Sequence, residues 1–99
     1  MFETRNDLSE STRIASIKLL NERLAASIDL QLHAKQAHWN VKGPNFVGLH
    51  ELFDKVAGEA FEYSDLIAER AVALGGTAEG TLKVISERSN LPKYPVATS

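Results

Sequence analysis

The chain has 99 residues, 43% of them hydrophobic and 24% charged, with a formal net charge of -2. That length allows one small domain at most, and that charge supplies no overall positive field for nucleic acid or an anionic membrane surface. There is no cysteine, which excludes disulfides, thiolate metal sites and thiol catalysis and fits a reducing compartment. The opening stretch MFETRNDLSESTR has no apolar core of the kind a signal peptide needs. No apolar run approaches the ~20 residues of a membrane span.

The pattern predicts an all-α chain. A first helix starts near Asp7 to Ser11 and runs to about Val41. Asp7 and Ser9 are N-cap residue types, and Glu10 places a negative charge in the first turn. Ile14, Ile17, Leu20, Leu24, Ile28 and Leu32 recur at spacings of three and four, as one face of an amphipathic helix does. Lys42-Gly43-Pro44-Asn45 is a stop and a restart. Gly43 can take a left-handed C-cap, and Pro44 cannot continue the first helix. A second helix follows from Asn45 or Phe46 to about Leu74, ended by Gly75-Gly76. Thr81 to Arg88 forms one or two further turns, and the tail from Ser89, with Pro92 and Pro95, reads as a loop. The first two helices, roughly thirty residues each, would be about 45 Å long. Their short connection implies an antiparallel hairpin. Such a hairpin leaves a long apolar face that needs further helices or another subunit.

Two imidazoles and three carboxylates stand out. His50 and Asp54 are four residues apart, one helical turn, and Asp65 and Glu69 repeat the spacing. The eleven residues from Asp54 to Asp65 are close to three full turns, so both pairs keep one face. His38, five residues before the turn glycine, comes to nearly the height of His50 in a hairpin. Imidazole with carboxylate suits a hard-to-borderline divalent metal such as iron or manganese. At ~1.5 Å rise per residue, however, the two pairs on the second helix are roughly 16 Å apart. One metal centre cannot touch both. A two-fold axis across the second helix would bring Asp65 and Glu69 of one copy to His50 and Asp54 of another, giving two identical sites per dimer. The competing interpretation is ordinary: carboxylates four apart commonly decorate a solvated helix face. Against it, Asp54, Asp65 and Glu69 run along the stripe that carries Phe53, Ala57, Phe61, Ala68 and Val72, and acids within a packing face need a partner or a metal. His33 reads as a surface histidine; Lys35 and Lys42 read as solvated lysines, with anion binding near the turn the lesser alternative; Glu59 and Glu62 read as surface residues, with guidance of iron to the site the lesser alternative. Gly75 to Gly80 has neither a preceding strand nor a following Lys-Ser/Thr, so it is a helix cap and not a phosphate loop.

KQAHWNVKGPNFVGLHELFD, from Lys35 to Asp54, followed by SDLIAERAVALGGTAEGT, from Ser64 to Thr81, resembles the Dps family, the ferritin-like DNA-binding proteins from starved cells. The resemblance runs from about Leu19 to Tyr94. It rests on H-W-N-x-x-G, L-H-x-x-x-D and D-x-x-x-E-R in order. It implies a ferritin-like fold, here an antiparallel hairpin forming half of a four-helix bundle, then a short helix and a loop. It implies His38, His50 and Asp54 as metal ligands from one subunit, with Asp65 and Glu69 from a two-fold mate. It also implies a hollow dodecamer in the cytoplasm that oxidises Fe(II), preferably with hydrogen peroxide, and stores the Fe(III) mineral. Zinc or manganese would be substitutes for iron at such a site. Trp39, beside His38, would lie near the site and quench stray oxidising equivalents; an ordinary core aromatic is the equal alternative.

Two departures from the family pattern stand out. The family's third and fourth helices have no counterpart among these 99 residues, which points to a fragment or to a subunit completed by association. The lysine-rich N-terminal tail of DNA-binding members is also missing. The first thirteen residues carry Arg5 and Arg13 against Glu3, Asp7 and Glu10, whereas release of counterions from DNA needs clustered cations. The rival functions are a helical or DNA-protecting assembly with a merely structural metal, such as zinc, and a truncated, inactive remnant. Peroxide consumption coupled to ferrous oxidation separates them from the mini-ferritin.

Overall fold

The structure is a computed structural model that describes residues 9–94; Asp7 and Pro95 lie outside them. Helix α1 spans Glu10–Asn40, α2 Phe46–Ala73 and α3 Leu82–Arg88, so the described chain is all-helical as the periodicity requires. Ser9 caps α1: its Oγ accepts the Thr12 N–H at 3.3 Å, and its carbonyl accepts the Arg13 N–H at 2.9 Å. At the other end α1 leaves through Val41 in an extended conformation. Gly43 is therefore not the left-handed cap expected of it. Its φ of 105° serves the reversal into α2, where its carbonyl accepts the Phe46 N–H at 3.1 Å. An extended Val41 swings the chain clear of α1 before the proline, and the sharp bend falls on the residue that tolerates positive φ.

The end of α2 follows the expected glycines closely. The Gly75 N–H donates to the Val72 carbonyl at 2.9 Å, and the Gly76 N–H to the Ala71 carbonyl at 3.0 Å. With Gly75 at φ 94°, this is a Schellman cap. The chain then crosses to α1. There the buried Asn21 side chain donates to the Thr77 carbonyl at 3.0 Å and accepts the Glu79 N–H at 2.9 Å. The buried amide thus has both its nitrogen and its oxygen bonded, and in return it pins the loop backbone to α1. Helix α3 packs on α1. Ser89, at its end, donates to Asp29 at 2.7 Å, and Asp29 also holds His33 at 3.2 Å. His33 is thereby the satisfied surface histidine the sequence suggests.

The contact between α1 and α2 is built mainly from small residues. Ala25, Ala34, Ala57, Ala60 and Ala71 are buried together with Leu24, Leu74 and Ile85. Across the same seam the Ser27 and Ser64 hydroxyls meet at 2.7 Å. The molecule measures 54 × 23 × 16 Å with a radius of gyration of 16.6 Å, against about 13 Å for a compact domain of this length. A two-helix rod of this shape leaves much apolar surface uncovered. On α2, Phe61 and Val72 are exposed along one flank, and Leu52, Tyr63 and Leu66 along the opposite one. On α1, Ile14 and Leu32 are exposed too, although both belong to the predicted apolar stripe.

Candidate metal centre

The turn brings His38 and His50 together because they stand six residues either side of Pro44. Their rings stack with centroids 3.6 Å apart and planes 23° from parallel. Phe46 extends the stack, its ring centroid 5.1 Å from that of His50. The hydrogen bonding is reciprocal. His38 Nδ1 lies 2.5 Å from the His50 carbonyl, and His50 Nδ1 lies 2.7 Å from the His38 carbonyl. A carbonyl can only accept, so both Nδ1 atoms carry the proton. In the neutral ring the lone pair is then on Nε2, the form in which histidine ligates a metal. The His38 carbonyl is one of the last four of α1, which have no partner inside the helix. His50 supplies that partner, so local backbone need and ligand orientation are met by the same contact.

Asp54 lies one turn beyond His50 on α2, exposed but within reach of Lys35 on α1. Lys35 Nζ donates to its Oδ1 at 2.6 Å, with the two side chains 37% and 52% exposed. That hydrogen bond first, and then the ammonium charge itself, hold the Asp54 carboxyl below its ordinary value; partial desolvation opposes them, and His38 and His50 add smaller downward contributions. The sequence expectation for Lys35 is a solvated lysine or an anion contact near the turn, not a partner for Asp54. A signal was present all the same: Lys35 and Asp54 lie almost symmetrically about Pro44, as the two histidines do.

Asp65 and Glu69 are exposed. Asp65 stands at the rim of an open groove of about 340 Å³ lined by Leu24, Ile28, Phe61 and Ala68. The stripe that was expected to bury the acids is split. Ala57 is buried, Phe53 and Ala68 are half-buried, and Phe61 and Val72 are 51% and 56% exposed. The reason is rotation about the helix. Residues 57, 60, 64 and 71 face α1, whereas 54, 61, 65 and 72 lie on a neighbouring flank turned away from it. Within one chain the acids are accordingly not forced to find a partner by burial. Trp39 is 65% exposed, so it is not a core aromatic of the hairpin. Among the described residues, no three His, Asp or Glu side chains of one chain converge closely enough to hold a metal.

An all-helical hairpin with paired histidines near its turn and carboxylates along one flank defines a class, the ferritin-like helical proteins, and residues 17–98 match the ferritin-like domain family. Within that class the chain belongs to the Dps family. It is 48% identical over 93 residues to a DNA protection during starvation protein of Agrobacterium fabrum, covering 94% of this chain and 57% of that relative. The Dps structure of Mycobacterium smegmatis superposes with a TM-score of 0.91 at 35% identity, over 97% of this chain and 58% of that one. DpsC from Streptomyces coelicolor gives 0.92 at 36%, over 98% and 56%. The chain thus spans a little over half the length of the relatives it matches. Among the described residues, no helix is long and apolar enough to cross a membrane.

Proposed function

We propose that this chain is the α1–α2 half of a Dps-type mini-ferritin subunit that oxidises ferrous iron at a centre completed by a two-fold mate. In this reading His38, His50 and Asp54 of one chain face Asp65 and Glu69 of the other. Iron is the substrate, hydrogen peroxide the oxidant, and the ferric product is stored in a closed cytoplasmic assembly, a dodecamer as in the family. Two ferrous ions each give up one electron, and the peroxide O–O bond breaks as it takes both. With two waters, the products are two ferric oxyhydroxide units and four protons.

The observation that carries this reading is the reciprocal histidine pair. It commits both Nδ1 atoms to carbonyls, and neither Nε2 is engaged in a hydrogen bond among the described residues. Asp54 supplies an oxygen at the same end of the hairpin. Asp65 and Glu69 are too far along α2 to reach the same ion, yet they share the flank that Phe61 and Val72 leave uncovered. A second copy laid antiparallel on that flank would bury the apolar side chains and bring the carboxylates to the histidines in one step. Asp65 and Glu69 would then supply ligand oxygens and charge compensation for the cation, and Trp39 would lie beside the centre as a sink for oxidising equivalents. The DNA protection in the relatives' names is not carried over to the N-terminal segment, because its two arginines are outnumbered by acids.

The test is Asp65→Ala with Glu69→Ala. The initial rate of peroxide-driven ferrous oxidation should fall by more than about tenfold while far-UV circular dichroism stays unchanged. An undiminished rate in the double variant overturns the assignment.

A further inference from the structure

We propose that Lys35 is a built-in competitor for the metal: its ammonium neutralises Asp54 until a divalent cation displaces it, so Lys35 sets how tightly the centre holds its ion. The inference rests on the function proposed above. Lys35 stands three residues before His38 on α1, hence on the same face of that helix. Asp54 stands four residues after His50 on α2. The 2.6 Å bond between Lys35 Nζ and Asp54 Oδ1 therefore crosses the hairpin beside the stacked imidazoles. The ammonium has three donors and no lone pair, so it cannot be a ligand. It can only occupy a ligand oxygen.

A divalent ion on Asp54 would place two positive charges within a few ångströms of a third, and like charges at that range repel. The lysine has a way out. Its stem is flexible and its side chain is 37% exposed, so the ammonium can withdraw into water. Binding then includes the loss of the Lys35–Asp54 pair, and the centre takes its ion less tightly than its ligands alone would allow. The alternative role, in which Lys35 holds Asp54 in place for the metal, predicts the opposite sign. Removing Lys35 tightens binding if it competes and weakens binding if it orients.

The experiment titrates the assembled protein with zinc, a redox-inert probe, by calorimetry at low and high salt. Three proteins are compared: wild type, Lys35→Met, which keeps the stem and drops the charge, and Lys35→Arg, which keeps the charge. Lys35→Met should bind zinc about tenfold more tightly at low salt. The gap should narrow as the Debye length falls from about 10 Å at 0.1 M to about 3 Å at 1 M salt. Lys35→Arg should stay close to wild type. Unchanged or weaker zinc binding by Lys35→Met overturns the proposal. Should that variant misassemble, Lys35→Gln removes the same charge and is judged by the same sign. Asp65→Ala with Glu69→Ala in the wild-type background is read separately. If that pair leaves zinc affinity unaltered, the shared centre fails; if it weakens binding while Lys35→Met does not strengthen it, only the competitor role fails.

Discussion

The two ends of the hairpin are built on different principles. At the open end, Asn21, Leu24, Ala25, Ala71, Leu74, Gly76 and Ile85 are buried, a Schellman cap closes α2, and one asparagine ties down the loop that leads to α3. At the turn end, no residue from 35 to 56 is buried. There the contacts are polar and specific: two imidazoles exchanging bonds with each other's carbonyls, and one ion pair. Packing free energy is concentrated where nothing can ligate, and ligating atoms are concentrated where little is packed. Under the proposed function the turn end must admit an ion, and such a site cannot be filled with methyl groups. A hairpin with so exposed a turn must hold itself together elsewhere, and here that is the far end. The corollary is that substitutions at the two ends should separate stability from metal binding, apart from Asp65 and Glu69, which lie between them.

The largest stability effect should come from the open end. Leu24 is 3% exposed, and Leu24→Ala cuts a buried isobutyl side chain back to methyl, for which losses run about 2–5 kcal/mol. Its position on the wall of an open groove favours the lower part of that range. Thermal denaturation of the assembled variant should show a clearly lowered midpoint, with zinc affinity measured below that midpoint unchanged. A matching loss of zinc affinity would break the division between the two ends.

A smaller effect at the same end tests how tightly it is packed. A methyl group on Gly76 would lie 2.5 Å from Ile17 Cγ2 and 3.0 Å from Cγ1 and Cδ1. Gly76→Ala therefore overpacks α2 against α1, at about 1–3 kcal/mol. Ile17→Ala removes the clashing atoms, so the double variant should be more stable than the sum of the two single changes requires. Strict additivity in a double-mutant cycle would show that the close approach is not what Gly76 is for.

Much of this was legible in the sequence, and the boundary is physical. Ser9, Pro44 and the Gly75-Gly76 pair act on their own few residues, so the element ends could be read from them. The phase between His50, Asp54, Asp65 and Glu69 is a property of one helix and needs no tertiary information. The pairing of His38 with His50 needs only a count on either side of the turn. What stayed hidden depends on how each helix is rotated against its neighbour. Phe61 and Val72 share a period with buried alanines yet lie outside the contact with α1, because a stripe of three-and-four spacing is wider than the contact one partner can cover. Asn21 falls in step with Ile17, Leu24 and Ile28, and a polar residue on an apolar stripe was a signal of buried bonding. Its partners, Thr77 and Glu79, sit 56 and 58 residues away, beyond any local pattern. Lys35 stays hidden for the reverse reason: exposed lysines are common, and near-symmetry with Asp54 about Pro44 is a weak signal that many pairs beside a turn share.

The smallest expected effect sharpens the contrast from the turn end. Asp54 is held below its ordinary carboxyl value of 3.8 chiefly by the hydrogen bond from Lys35, and then by the charge on that ammonium. A carboxyl whose folded value is lowered adds stability that is fully present above its unfolded value and is lost as pH falls through the lowered folded value. The pair should thus support the fold from neutral pH down to about 4 and cease to do so in more acidic solution. Because both side chains lie largely in water, the stabilisation is screened and small. Carbon-detected NMR of the Asp54 carboxyl should show a midpoint below 3.8 in the wild type, moving up toward that value in Lys35→Met. The thermal midpoints of the two proteins should differ slightly near neutrality and converge below the wild-type carboxyl's own midpoint. If Asp54 titrated identically in both, Lys35 would not be resting on it in solution. The turn end would then be held in solution by its histidine pair alone, without an ion pair.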